Sequence, residues 1–235
     1  MTLADDAVAA IGAEALALPA SAAEPAIRRH LAAADPEMAA LIGRVGRCGL
    51  KVDRAREPYE ALIRAIAHQQ LHDRAAEAIL GRMLALHAGE GFLPPATLLA
   101  LPDAALRGAG LSGAKLAAMR GVAQATLDGI VPSRRLAARL DDATLVERLT
   151  SLRGIGRWTV EMLLMFSLGR RDIMPVDDLG VREGWRRLKE LDRQLAPKAM
   201  AQATAHFAPF RSAAAWYLWR AAEEKPGGFR APAAL

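Results

Sequence analysis

Two glycines, Gly154 and Gly156, stand between two apolar patterns of helical period, and no other segment constrains the fold of this chain as much. Before them Leu145, Val146, Leu149 and Leu152 recur at helical spacing, and after them Val160, Leu163, Leu164 and Phe166 do the same. Glycine reaches positive φ and lets a second backbone approach without a Cβ in the way. The stretch from Leu152 to Thr159 therefore predicts a helix, a short hairpin and a second helix. The first amides of that second helix lack partners inside it, and the macrodipole makes its start positive, so an anion is a natural ligand there, with Arg157 adding a formal charge. A Gly-x-Gly step before a helix also serves as a plain tight turn, and spacing alone allows both.

A carboxylate pair follows one helix later. Gly169, Arg170 and Arg171 lead into Ile173 to Val176, where Pro175 fixes its own φ and biases Met174 away from helix, predicting a stiff, extended linker. Asp177 and Asp178 come next, ahead of Leu179, Val181, Trp185 and Leu188 on a new helical pattern that begins near Asp178. Aspartate is among the best N-caps. The pair thus reads as a cap, as a carboxylate delivered to a site, or as one of each.

Nearly every other segment shows helical rather than alternating periodicity, which predicts an all-α fold without strands. Helices are expected over 24–46, 57–69, 72–87, 95–108, 112–128, 142–150, 157–168, 178–189, 196–206 and 211–222. Pro and Gly punctuate the joins, at Pro94-Pro95, Pro102, Gly108 to Gly113, Gly129 and Pro132. Residues 1–23 read as a loosely held helix and 225–235 as a loose tail.

Composition excludes several classes of function. At 235 residues and 52% hydrophobic content the chain can bury a sizeable core, as one domain or as two small lobes. Cys48 is the only cysteine, which rules out an internal disulfide and a four-cysteine iron-sulfur cluster and fits a reducing compartment. No stretch approaches the ~20 apolar residues that span a bilayer, and Asp5 and Asp6 stand where a secretory signal would be basic, so the expected location is cytoplasmic, nucleoid-associated in a bacterium. A net charge of +5 and a pI near 9.9 suit a polyanionic partner, although the basic residues are spread rather than blocked. His68 and His72 have the spacing of a zinc pair but lack the acid and the third ligand, so metal catalysis is not expected. Arg211, after Pro209 at a helix start, reads as meeting a phosphate or an acid.

Together these residues carry a family resemblance. The run from Leu152 to Arg187 resembles the helix-hairpin-helix and Gly/Pro-rich loop with Asp of the base-excision DNA glycosylase superfamily. Within it, Gly154-Ile155-Gly156-Arg157-Trp158-Thr159 followed by Pro175-Val176-Asp177-Asp178-Leu179 is similar to the 3-methyladenine DNA glycosylase II branch, in a compact form without the β-containing domain of longer members. Ile66 to Leu71 resembles the segment that carries the intercalating residue, and Gly110-Leu111-Ser112 with Lys115 resembles a second DNA-side element. Phe210-Arg211-Ser212 and Trp216 to Trp219 resemble the helix that closes the base pocket.

The resemblance implies two helical lobes, 1–60 plus 170–235 and 61–169, with double-stranded DNA containing damaged bases bound in a cleft between them by a monomer. It implies a monofunctional DNA glycosylase that hydrolyses the N-glycosidic bond of alkylated purines of the 3-methyladenine and 7-methylguanine type after base flipping. Asp178 would be the catalytic carboxylate, with Trp158, Trp219 and Met162 around the base and Gln70 or Leu71 filling the gap in the stack. Phosphate contacts would come from Gly154, Gly156, Arg157, Thr159, Ser112 and Lys115. No cofactor is implied beyond a monovalent cation, Na+ or K+, on the carbonyls of Thr150, Leu152 and Ile155. Trp158 stands where strand-cutting members of the superfamily carry a Schiff-base lysine, and an indole cannot act as that amine, so no lyase activity is expected. Two rivals are a glycosylase for oxidised, deaminated or mismatched bases and a non-enzymatic helix-hairpin-helix module that only grips DNA.

Overall fold

A computed structural model of the protein describes residues 20–223; the expected loose tail and most of the expected N-terminal helix lie outside the described residues. Among the described residues the chain is all-helical, with no strand. In chain order the first helices are α1 (Ala20–Ala34), α2 (Pro36–Val45), α3 (Pro58–His68), α4 (Asp73–Leu84), α5 (Pro95–Ala100) and α6 (Asp103–Gly108). Then come α7 (Gly113–Leu127), α8 (Arg134–Ala137), α9 (Asp142–Thr150) and α10 (Arg157–Met162), which runs on as a π-helical segment, Leu163–Ser167. The last are α11 (Leu179–Leu188), α12 (Pro197–Ala203) with a 3-10 turn at Ala205–Phe207, and α13 (Arg211–Glu223).

The boundaries follow from residue chemistry. Prolines open α2, α3, α5 and α12, where the missing N–H would have no partner anyway and the fixed φ already suits a helix. Short polar side chains cap α2, α7, α8, α9 and α11 by accepting a free amide: Asp35 from Met38, Ser112 from Lys115, Ser133 from Leu136, Asp141 from Thr144 and Asp178 from Val181. The expected single helix over 24–46 is two, because Asp35 is extended (φ −155°, ψ 120°) and Pro36 restarts the helix. Likewise 95–108 breaks at Leu101, ahead of Pro102, for the same reason. α8 was not anticipated; its single turn hangs on the Ser133 cap.

The described residues form two compact units, a terminal one from 20–51 and 170–223 and a central one from 52–169. The first boundary thus falls at Lys51 rather than at the expected 60. Residues 52–60 belong to the central unit because the Asp53 amide donates to the Phe166 carbonyl at 2.8 Å, and the Arg134 guanidinium donates to the carbonyls of Asp53, Arg56 and Ser167.

In the central unit, Leu62, Ile63 and Ile66 of α3, Met119 and Val122 of α7, Leu145 and Leu149 of α9 and Leu163 and Leu164 of the π segment are buried. In the terminal unit α11 lies against α13, with Val181, Trp185, Phe207, Phe210, Tyr217, Leu218 and Trp219 buried. No helix among the described residues is long and apolar enough to cross a membrane.

Candidate functional site

In the terminal unit the site is built on Asp178. The loop before it is a turn rather than a plain extended linker, with the Asp178 amide donating to the Pro175 carbonyl at 3.0 Å. Asp177 is exposed and Asp178 is buried, so the two carboxylates have different surroundings. Asp178 Oδ1 accepts from the Val181 amide at 2.8 Å, which caps α11, and from Trp219 Nε1 at 2.9 Å. One carboxylate oxygen therefore holds both a helix start and an indole 41 residues away. Of the alternatives the sequence left open, capping falls on Asp178, while Asp177 is exposed.

α13 grips the loop a second time. Ser212 Oγ donates to the Arg170 carbonyl at 2.8 Å and accepts from the Ile173 amide at 3.0 Å, and the Ser212 amide donates to the Arg171 carbonyl at 2.9 Å. Ser212 and Trp219 are seven residues apart, two turns along one face of the helix. Arg211 forms a bidentate pair with Asp172, at 2.7 and 2.8 Å, so its partner in this structure is an acid. α11 approaches α13 closely enough that a Cβ at Gly184 would lie 1.9 Å from the Leu218 carbonyl oxygen. The close approach at Gly184, the Ser212 bonds and the Trp219 bond are contacts around Asp178 that sequence inspection missed, since each depends on a neighbour distant in the chain.

Trp219 is 0% exposed, so it is a core residue and offers no face to a base; its expected place as a pocket wall is corrected to a bond that orients Asp178. The aromatic residues of α13 point apart: Tyr217 is buried with its hydroxyl donating to the Gly46 carbonyl at 2.8 Å, while Trp216 is half-buried beneath Arg220. Cys48 is half-buried, and burial pushes its thiol up to about 11, which favours the protonated form at neutral pH.

In the central unit the hairpin joins α9 to α10. Gly154 has φ +84°, and a Cβ there would lie 2.9 Å from Ala118 Cβ, so glycine is required both for the turn and for its seat on α7. Gly154, Gly156 and Arg157 are exposed. Arg157 Nε pairs with the buried Glu161 carboxylate at 2.9 Å, which offsets part of the charge expected at this end. Trp158 is half-buried and keeps some open surface, whereas Met162 is 0% exposed and belongs to the core rather than to a pocket wall. Thr159 is buried as well, so its side chain is not among the surface groups that could meet a phosphate.

Gln70 and Leu71 form the exposed turn between α3 and α4, and Gln70 has a left-handed backbone at φ 57°. Gln69 beside them sends its amide to the Gly154 carbonyl at 2.9 Å. Ser112 caps α7, and Lys115 Nζ donates to the Ala67 carbonyl at 2.8 Å. Burial lowers the Lys115 ammonium below the usual lysine range. In this structure it is tied to the end of α3, the helix terminus that favours a cation. His68 Nε2 lies 3.1 Å from Glu77 Oε1, while His72 is exposed at the start of α4.

The residues expected to hold a monovalent cation suit one. Thr150 ends α9, where the last carbonyls have no donor within the helix. The Leu152 carbonyl accepts from the Ile155 amide at 3.1 Å and keeps a second lone pair. Neutral carbonyl oxygens are the donor type that coordinates such ions.

Residues 63–209 match the family described as HhH-GPD superfamily base excision DNA repair protein. The chain is 42% identical over 193 residues to DNA-3-methyladenine glycosylase 1 of Schizosaccharomyces pombe, covering 81% of this chain and 84% of that protein. Among solved structures it resembles the S. pombe 3-methyladenine DNA glycosylase Mag1 in complex with abasic DNA, with a TM-score of 0.74 and 41% identity over 83% of this chain and 95% of that one. A DNA-3-methyladenine glycosidase from Bacillus halodurans gives a TM-score of 0.75 and 33% identity over 83% and 90%.

Proposed function

This chain belongs to the HhH-GPD superfamily of base excision DNA repair proteins, and on that premise we propose that it is a DNA glycosylase that releases alkylated purines from double-stranded DNA. Relatives named for 3-methyladenine at 42% and 33% identity support that substrate class. A purine alkylated on a ring nitrogen is already cationic and leaves as a neutral base, so it needs little acid assistance. The demand falls on the sugar. As the C1′–N bond breaks, its electron pair goes to the base and positive charge develops on the deoxyribose, where a fixed carboxylate stabilises it.

We assign that role to Asp178, which also orients the water that adds to C1′ and takes up its proton. What supports the assignment is the holding of its buried carboxyl by the Val181 amide and the Trp219 indole. The damaged base must first leave the stack, at a few kcal/mol. Gln70 or Leu71 fills the gap, and the cationic base gains roughly 0.5 to 2 kcal/mol against the face of Trp158. Gly154, Gly156 and Arg157 meet the phosphate backbone, and the Thr150, Leu152 and Ile155 carbonyls would hold a monovalent cation that supplies positive charge toward a phosphate. Trp158 offers no amine, so the strand is left uncut at the abasic site.

The test is release of free base from methylated duplex DNA by wild type and by Asp178→Asn, with DNA affinity measured on both. The asparagine keeps an oxygen for Val181 and Trp219, so binding is expected to persist while release falls by at least about a hundredfold. If wild type binds but releases nothing, the chain is a binding module or acts on another lesion. If the variant releases base at the wild-type rate, Asp178 is not the catalytic group.

A further inference from the structure

Three consecutive residues at the end of α3 are each tied to a different element of the central unit. The Ala67 carbonyl accepts from Lys115 of α7, His68 pairs with Glu77 of α4, and Gln69 Nε2 donates to the Gly154 carbonyl of the hairpin, 85 residues further on, at 2.9 Å. Immediately after them stand Gln70 and Leu71, both exposed, and Gln70 has φ 57°, a region that residues other than glycine seldom occupy and that persists where the surroundings determine it. Gly154 is fixed in turn by its close seat on Ala118 of α7. The contacts form a closed ring from the end of α3 through Lys115 to α7, from α7 to the hairpin at Gly154, and from the hairpin back through Gln69.

We propose that Gln69 is a positioning residue that sets the offset between the hairpin and the Gln70–Leu71 turn, so that the hairpin's grip on the phosphate backbone drives the turn into the base stack. This rests on the glycosylase function proposed above. A closed ring of contacts transmits displacement from one member to another. With the Gln69 bond removed, the hairpin still meets the phosphate and the turn still hangs on Ala67 and His68, but the two are joined only by the longer route through Lys115 and α7, which couples them less directly. Less of the work of inserting a side chain into the stack is then drawn from the backbone contact.

The consequence depends on substrate, and that separates positioning from a role in folding. Flipping costs most where the damaged base is stacked and paired, and least where it is unpaired. The experiment compares wild type with Gln69→Met, a side chain of similar length without a donor. The substrates are two duplexes carrying 3-methyladenine or 7-methylguanine, one with the lesion opposite its pairing base and one with it opposite an abasic gap. Single-turnover release from the paired lesion is expected to slow about three- to tenfold, the effect of one hydrogen bond. Release at the gap, and affinity for undamaged duplex, should stay within about twofold of wild type. Equal slowing on both duplexes, no slowing on either, or a lowered melting temperature that accounts for the loss would overturn the proposal and leave Gln69 a stability residue. If wild type releases no base from either duplex, it is the glycosylase function that fails, and this is seen before the variant is compared.

Discussion

The Asp178 carboxyl group, to which we assign the breaking glycosidic bond, has its direction set by a backbone amide and an indole. Asp178 Oδ1 lies 2.8 Å from the Val181 amide and 2.9 Å from Trp219 Nε1, and two donors on one oxygen stop the carboxyl group from rotating. The cap alone would leave a single hinge. Trp219→Phe keeps an aromatic ring in the core and removes the donor, at about 1 to 3 kcal/mol of stability from the smaller ring and the lost bond. The maximal rate of base release should fall about tenfold, the effect of losing one orienting hydrogen bond, with affinity for abasic-site DNA unchanged. Rates under single turnover and a binding titration on the same DNA check this. If affinity falls in step with the rate, Trp219 touches the DNA and is not confined to the core.

At the scale of elements, the geometry at Asp178 depends on how α13 meets α11 and the loop before it. Ser212 and Trp219, on one face of α13, hold the 170–173 segment and the Asp178 cap, and Gly184 lets the two helices meet backbone to backbone. Gly184→Ala would place a Cβ 1.9 Å from the Leu218 carbonyl oxygen, a contact that only a backbone shift relieves. The expected loss is about 3 kcal/mol by chemical denaturation, with base release falling further than DNA binding because the Trp219 bond shifts along with the helix. Gly81→Ala is the control: Gly81 is within α4 and a Cβ there meets nothing within 4 Å, so it should gain about 0.5 to 1 kcal/mol. Equal stability for the two variants would show that the close approach does not matter. The same elements mark what the sequence could tell. The hairpin glycines, the helix starts at Pro58, Pro95 and Pro197 and the Asp178 cap were legible because each is set within a few residues. The break at Asp35-Pro36 was written in a dipeptide but hidden by the surrounding alanine-rich helical pattern. The π-helical segment had no local signal. Gln69 on Gly154, Ser212 on Arg170 and Trp219 on Asp178 join residues 85, 42 and 41 apart, so only the folded chain brings them together. Met162 and Thr159 show the converse, since position beside the motif did not decide which side chains face outward.

For the whole molecule, stability against acid rests on carboxylates whose charged forms the fold favours. Arg186 holds the Glu183 carboxyl well below the usual carboxylate range, and the Thr144 amide and hydroxyl lower Asp141. Asp35 is the most informative because it is 4% exposed. Burial alone would raise it, yet the bonds from Lys189 and from the Met38 amide outweigh burial and hold it below its ordinary value. Lys189 also meets Glu37 at 2.8 Å and lies over the Trp185 ring, and His206 Nε2 is 3.5 Å from Asp35, so this cluster joins α2, α11 and the turn after α12 in one unit. A group whose pKa is lowered on folding contributes stability that is complete above its unfolded value, about 3.9 for aspartate, and is lost as pH falls through the folded value. Asp35→Asn keeps an oxygen to cap α2 but leaves Lys189 without its buried partner, so the variant should be less stable than wild type at pH 7. Below about pH 4 the unfolded side chain takes up its proton first and the advantage fades as pH falls toward the lowered folded value, so the two urea-unfolding free energies should converge as the pH is lowered. A gap that stays constant from pH 7 to pH 3 would mean that the charge on Asp35 contributes nothing and that its cap alone holds α2 in place.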